Sequence, residues 1–430
     1  MSTIRPFAAI RFVTRATARD ISTRLSPPYD ILEQRDKDAL LAADTRNFVK
    51  IDLPHTPPKS AGPPEAYAAA QATLAAWLAD GTLVRDTVPA VYVYHQRFRH
   101  DGGEHTRRMF FVRLGLEAFG TGSVFPHETT FGGPKEDRLC LTKATGANLS
   151  PIFGLYEDAE HVVSRHLEAA LPREPLAVGT LDGVENLLWG VSDVEVVSAV
   201  ARLMATKPIY IADGHHRYGT GLLYRDWLVE QRGSLPADHP ANFVLCALCA
   251  MEDPGLLILP THRVLPGVNV TEEALRADQR LDVGPLNDPN PAEAVHALNR
   301  LGPQAVVVFN HRSGKYLYVR PRDADVLNAF EPQRSPAWRR LGLAFLHAYL
   351  LDRLVTPSVC GGAEPTIHYI KSAPDAIAAA TQSAGTAFLM QPTTMAELRS
   401  VCSAGDLMPQ KSTYFYPKLA SGLVINPLTD

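Results

Sequence analysis

The run Ile209-Tyr210-Ile211-Ala212 is apolar and β-rich, and it ends abruptly at Asp213-Gly214. His215, His216 and Arg217 follow, and then a helix-period segment begins with Leu222, Leu223, Trp227 and Leu228. A strand that stops where a helix opens leaves backbone N–H groups without partners, and the helix dipole adds positive potential there. Packing an acid, two imidazoles and a guanidinium onto that corner costs desolvation and adds nothing to a core. The set suits an anion, above all phosphate, with Asp213 available for a metal or a proton. An isolated Asp-Gly would read as an ordinary Asx-type helix cap; the following His-His-Arg is what lifts this one above that.

Two other polar clusters could join it. Residues Gly120 to Ser150 form the least regular and most polar stretch, with Pro126-His127-Glu128-Thr129, then Gly132-Gly133-Pro134-Lys135-Glu136-Asp137-Arg138, then Asn148-Leu149-Ser150-Pro151. Long loops without structure of their own are uncommon in compact domains and are often functional. Lys135 and Arg138 are phosphate-binding candidates on this density of charge alone. Near the C-terminus, Lys411-Ser412-Thr413 offers one ammonium and two hydroxyls, which suits a phosphate and equally an ordinary surface turn. Phosphoryl transfer needs positive groups around the travelling phosphate, one carboxylate for a metal and another to accept the nucleophile's proton. The three clusters supply these groups jointly, provided that they converge in space.

The elements that must position them read as a mixture. Arg5 to Val13 and Asn47 to Leu53 are expected strands, with a helix from Glu33 to Ala43 and another from Ala68 to Leu78. Val88 to Phe98 and Thr106 to Leu116 form a hairpin across Asp101-Gly102-Gly103, a strong turn signal; Arg107, Arg108 and Arg113 on its second strand read as a solvated face. Helices at His161 to Ala170 and Val194 to Ala205 flank a β-rich segment at Val184 to Val191. Phe243 to Met251 reads as a buried strand. The remainder alternates, and Leu341 to Leu354 is an expected helix carrying His347. Hairpins together with crossover helices predict an α+β fold with mixed sheets. A chain of 430 residues exceeds one hydrophobic core, and the division expected is an N-terminal lobe over 1–118, a central core over 119–270 and a C-terminal lobe over 271–430.

Composition excludes several classes. A net charge of -4 without a Lys/Arg block argues against a nucleic-acid scaffold built on phosphate neutralisation. The five cysteines are scattered, and Cys246 and Cys249 sit inside an apolar run, so buried thiols are expected rather than a metal or redox pair. No window approaches a membrane span or a signal peptide, and a cytoplasmic location is expected. The G-x-x-x-x-G-K-[ST] loop, the G-x-G-x-x-G fingerprint and the G-x-S-x-G elbow are all absent.

Five motifs, Pro27-Pro28-Tyr29-Asp30, Pro126-His127-Glu128-Thr129, Asn148 to Phe153, Ile211 to Tyr218, and Met408 to Lys418, together resemble a widespread prokaryotic family of unknown function, number 1015. A second, more distant resemblance is to the free serine kinases of the ParB/sulfiredoxin-like fold. These carry Pro-His-Glu, then Asp-Gly-His-His-Arg after a strand, then a Pro-Lys-Thr-Thr turn. The first two stand here verbatim and in order; the third is altered to Pro409-Gln410-Lys411-Ser412-Thr413 and continues with Tyr414-Phe415 where the kinases have Arg-His. The resemblance implies a ParB/sulfiredoxin-like core with added lobes, and Mg²⁺-dependent transfer of the terminal phosphate of ATP or ADP to the hydroxyl of a small molecule, free L-serine first. It further implies Glu128 as general base, Asp213 supporting magnesium and the reacting centre, His215, His216 and Arg217 holding phosphates, and Lys411, Ser412 and Thr413 completing the phosphate cradle; His215 also counts among the catalytic candidates, and His127 among the phosphate-binding ones. A hydrolase, in which water replaces the serine hydroxyl, and a ParB-like nucleotide-gated binding module are the rival readings. Phosphate release without an acceptor marks the first, and salt-dependent retention on DNA the second.

Overall fold

The computed structural model describes residues 2–14, 19–58, 60–119, 121–128, 133–286 and 291–429. Gly120, Thr129 and Gly132, named above in the polar stretch, lie outside them. The chain forms two compact units rather than three lobes, Met1–Leu257 with Pro417–Asp430 and Ile258–Tyr416. No division falls at residue 118, because the strands on either side of it pair with one another.

The first unit is built on a nine-stranded mixed sheet. Its strands in chain order are β1 (Ile4–Arg5), β2 (Val91–His100), β3 (Gly103–Gly115), β4 (Val124–Phe125), β5 (Ile152–Tyr156), β6 (Ala177–Leu181), β7 (Val184–Val191), β8 (Ile209–Asp213) and β9 (Phe243–Ala250). They lie in the order β4-β8-β5-β9-β3-β2-β7-β6, with β1 on β3. The hairpin β2-β3 closes through Asp101 and Gly102, both at positive φ, 47° and 77°. That geometry matches the right-handed twist of the strands, and glycine adopts it without strain. β9 is buried along its whole length, as its unbroken apolar run requires of a central strand. It pairs antiparallel with β3 and parallel with β5.

Helices α1 (Gln34–Ala43), α2 (Val49–Asp52), α3 (Pro64–Ala79), α4 (Gly133–Thr145), α5 (Val162–Ala169), α6 (Val194–Met204) and α7 (His215–Arg232) complete this unit's main helices. Two of them correct the expectations above. Within the segment 47–53, Val49–Asp52 is helical and no strand forms: Asn47 accepts from the Val49 N–H at 2.9 Å, and Phe48, Val49 and Ile51 are fully buried. A short apolar run cannot by itself distinguish a strand from a buried helical turn. The polar stretch 120–150 contains α4, whose inward face carries Asp137, Arg138, Leu141 and Thr142. Charged residues occupy half of the face that would normally be apolar, so no hydrophobic period betrays the helix.

The arginines of β3 are a further correction. Arg107 is fully buried, stacks on Phe153 at 5.0 Å and donates to the Gln96 side chain and the Pro417 carbonyl. Arg113 donates to the Asn426 side chain at 2.7 Å and the Pro427 carbonyl at 2.8 Å. Gln96 also donates to the Lys418 carbonyl at 3.0 Å. Two of the three arginines read as a solvated face, Arg107 and Arg113, are clamps on the C-terminal tail, whose carbonyls would otherwise be buried unpaired, while Arg108 stays partly exposed beside Asp253.

The second unit holds a six-stranded antiparallel sheet in the order Leu281–Pro285, Lys315–Pro321, Val306–Asn310, Thr386–Leu389, His262–Leu265, His368–Ile370. Val264, Val307, Leu298 and Ala376 belong to its core. The helix expected over 341–354 is present, and Phe345–Val355 winds as π-helix. Mixed and antiparallel sheets, a tight hairpin and crossover helices make the protein α+β. Among the described residues no helix is long and apolar enough to cross a membrane.

Candidate active site

β8 ends at Asp213, and Gly214 turns the chain into α7 with φ at 87°. A Cβ on Gly214 would stand 3.0 Å from Arg217 Nε and 3.1 Å from the Ile152 Cα. Left-handed backbone and a backbone neighbour therefore both demand glycine here. Gly214→Ala should destabilise the first unit by about 1–3 kcal/mol and push Arg217 off Asp213. A melting temperature equal to that of the parent would refute this.

Asp213 is the centre of the charge arrangement. Lys418 Nζ donates to one carboxylate oxygen at 2.5 Å, and Arg217 Nη2 approaches the other at 3.4 Å. The second Arg217 amino group donates to the Pro151 carbonyl. Burial acts to raise the Asp213 pKa, but Lys418 and Arg217 outweigh it and hold the carboxyl well below the usual range. Asp213 and Lys418 keep 24% and 22% of their side-chain surface, so the pair is open to a ligand.

The histidines are arranged by backbone groups. His127 is buried, and its Nδ1–H donates to the Ile211 carbonyl at 2.5 Å. Its backbone N–H donates to His215 Nε2 at 3.1 Å, and the two rings meet edge-on at 4.6 Å. His127 Nε2 thereby faces Glu128, whose Oε1 is 3.5 Å away and whose side chain is 23% exposed. Burial, reinforced by His127, depresses the His215 pKa to about 3. His215 is neutral at pH 7 and serves as a fixed acceptor rather than a cation.

This has a consequence for acid stability. The unfolded chain binds a proton at each such histidine from pH 6.5 downward, whereas the folded chain resists until about 3. Stability is intact above pH 6.5 and falls as pH drops through that window, by about 1.4 kcal/mol per pH unit for each histidine. In the second unit, burial likewise depresses His262 to about 4 and His347 to about 3. Denaturation midpoints between pH 7 and 4 should show this slope, reduced by one proton in His215→Gln.

The remaining candidates are distributed as follows. His216 is half-buried in the first turn of α7. Lys135, on α4, lays its stem over Gly219 of α7: its Cε would be 3.1 Å from a Cβ placed there. Arg138 is buried and committed. Its Nε donates to Asp137 at 2.7 Å, its Nη1 donates to the Asp52 carbonyl at 2.6 Å, and its Nη2 lies 2.5 Å from Asp137 as a close ion pair. Asp137 also accepts from Tyr67 at 2.7 Å and pairs with His55, while Asp52 accepts from Ser150 at 2.6 Å.

Lys411, Ser412 and Thr413 belong to the second unit. Lys411 is exposed at φ 56°, while Ser412 is buried with its hydroxyl donating to the Pro409 carbonyl. The buried Arg263 holds this turn through the Gln410 and Lys411 carbonyls, at 3.3 and 3.0 Å.

Lys418, Tyr29 and Asp52 are the participants that sequence reasoning missed. Lys418 closes the same motif as Lys411, and only its place in that motif could have drawn attention to it.

Magnesium typically takes one or two carboxylates together with phosphate oxygens and water. Asp213 provides one such partly exposed carboxylate. Among the described residues no group of three or more His, Cys, Asp or Glu side chains gathers to cage a metal.

Fold and site thus define an α+β protein with a charged strand-to-helix corner, closed by its own C-terminal tail. Residues 4–343 match the family model described as "Protein of unknown function (DUF1015)", and the chain belongs to that family. No curated protein matches it. Among solved structures it is similar to a free serine kinase mutant in complex with ADP, at 12% identity over 73% of this chain and 92% of that one, with a TM-score of 0.34. A conserved hypothetical protein from Pyrococcus furiosus gives 13%, 74%, 94% and 0.34. SbnI with a C-terminal truncation, from Staphylococcus aureus, gives 13%, 74%, 87% and 0.34.

Proposed function

We propose that the first unit is a phosphoryl-transfer site that moves the terminal phosphate of a nucleotide to the hydroxyl of a small molecule, with free L-serine as the first acceptor to test. The observation that carries this reading is the Lys418–Asp213 pair at the mouth of β8, which brings together residues 205 positions apart. Lys418, Arg217 and the first N–H groups of α7 form the positive surface on which a phosphate would rest. Glu128 is the partly exposed carboxylate that accepts the hydroxyl proton, with His127 fixing its approach. His215 stays neutral and buttresses the His127 backbone. The motif order, Pro126-His127-Glu128 and then Asp213 to Arg217, matches that of the free serine kinases.

Charge balance supports a divalent cation arriving with the nucleotide. Lys418, Arg217 and Arg138 face Asp213, Asp52 and Asp137, so the network is close to neutral before any ligand enters. Adding a polyphosphate alone would leave it strongly negative. Asp213 would hold Mg²⁺, which supplies neutralisation of the phosphate oxygens when bound.

Purified protein incubated with Mg²⁺, L-serine and either ATP or ADP should form O-phosphoserine, and Glu128→Gln should abolish turnover while nucleotide binding persists. Absence of product with both nucleotides across a panel of hydroxy amino acids would end this reading. Phosphate release without an acceptor would replace it with a hydrolase.

A further inference from the structure

The Pro27-Pro28-Tyr29-Asp30 motif takes no part in the chemistry proposed above, yet Tyr29 is buried in the middle of the charged network. Its ring centroid is 3.9 Å from the Arg138 guanidinium and 5.9 Å from that of Arg217. Beside it is a cavity of about 40 Å³ lined by both guanidiniums together with Asp52, Ser150 and Thr220. That is room for a water or two, not for a side chain.

Arg138 cannot follow a moving partner, because Asp137 and the Asp52 carbonyl fix it. Among the described residues Arg217 has two hydrogen-bonded holds, the Pro151 carbonyl and Asp213, and the second of these is also the group a ligand would contest. The face of Tyr29 is a further constraint on the Arg217 fork, beside the charges of Asp30 and Asp52. Pro28 sets the entry to the short Tyr29–Ile31 turn, so the ring is held from its own backbone. Burial pushes the Tyr29 phenol up, which keeps the hydroxyl neutral and leaves the ring quadrupole as the interacting element.

We propose that Tyr29 is a positioning residue. Through its ring, the buried Arg138 anchor and the N-terminal helices that hold it set the position of Arg217, and with it the affinity of the corner for a nucleotide's phosphates. This rests on the reading of the corner as a phosphate site. It also gives the N-terminal segment a role: Asp52 on α2 and Tyr67 on α3 hold the network that Tyr29 relays.

The test is ATP–Mg²⁺ titration calorimetry on the full chain, paired with the NMR signal of the Arg217 Nε–H. Tyr29→Phe keeps the ring face and should bind within about two-fold of the parent, whereas Tyr29→Leu should bind roughly ten-fold more weakly. The Arg217 signal should move in Tyr29→Leu and stay in Tyr29→Phe, as expected when a ring current is lost or kept. Should Tyr29→Leu not fold, Tyr29→pentafluorophenylalanine keeps the shape and removes the negative face, with the same expected weakening. Parent-like binding and an unmoved Arg217 signal in the ring-deleted variant would overturn the proposal, as would Tyr29→Phe behaving like Tyr29→Leu. If the parent itself binds no ATP, the phosphate reading fails, and with it the affinity half of the proposal; the Arg217 signal then decides the positioning half alone.

Discussion

Arg138→Met should be the most destabilising single change in the first unit, lowering its unfolding free energy by about 3–5 kcal/mol. The guanidinium lies between two buried carboxylates, Asp137 and Asp52, at 2.5 and 3.6 Å. Burial already raises the Asp52 pKa in spite of Arg138 and the Ser150 hydrogen bond. Asp137 stays below the usual range because Arg138, Tyr67 and His55 outweigh its burial. Without Arg138, at least one carboxylate must take up a proton or remain an uncompensated buried charge. Methionine keeps much of the stem, so lost packing is a small part of the effect. The diagnostic is the pH dependence: acidification should narrow the gap between variant and parent, since protonating the carboxylates removes the conflict. Adding Asp137→Asn should recover part of the loss. Chemical denaturation at pH 7 and pH 5 measures both, and a gap that does not depend on pH would refute the electrostatic account.

Lys418→Met should have the opposite profile, with a large effect on chemistry and little on stability. The Lys418–Asp213 pair is partly exposed on both sides, and pairs of that kind contribute only about 0–1 kcal/mol. The tail that carries Lys418 is fastened independently of it. Arg107 and Gln96 bind the Pro417 and Lys418 carbonyls, Tyr94 accepts from the Ala420 N–H at 3.4 Å, and Ser26 and Ile10 pair with Ser421 and Ile425. Deleting the ammonium therefore leaves the backbone in place and removes one cation from the developing charge. By analogy with the loss of a single preorganised donor, O-phosphoserine formation should fall roughly 10²–10³-fold, while the melting temperature moves by no more than a degree or two. Relief of the strongest counter-charge should also raise the Asp213 pKa, visible in the carboxyl carbon shift against pH. A variant that turns over at the parental rate would remove Lys418 from the site and weaken the phosphoryl-transfer reading with it.

The difference between Arg138 and Lys418 shows where inference from residue types stops. Both are basic residues in motif-bearing segments. One is a structural counter-ion sealed on the inward face of α4, and the other stands at the mouth of the corner. Charge density could not separate them, because burial is a property of neighbours. The same limit explains Arg107, whose alternating position on an apparent surface strand concealed a clamp on the tail.

What the sequence determined by itself is local. An apolar run, a glycine in left-handed backbone and a helix-period segment are consecutive, so the Asp213 corner follows from short-range sterics. The Asp101-Gly102 hairpin and the buried β9 follow for the same reason. Tertiary structure decided which distant groups reach that corner. The β3 arginines draw in the tail and deliver Lys418, and a charged helix face conceals α4 and pins Arg138 beneath Tyr29. Ion-pair and cation–π partners across such separations carry no periodic signature along the chain, since their energy depends on burial and distance rather than on spacing.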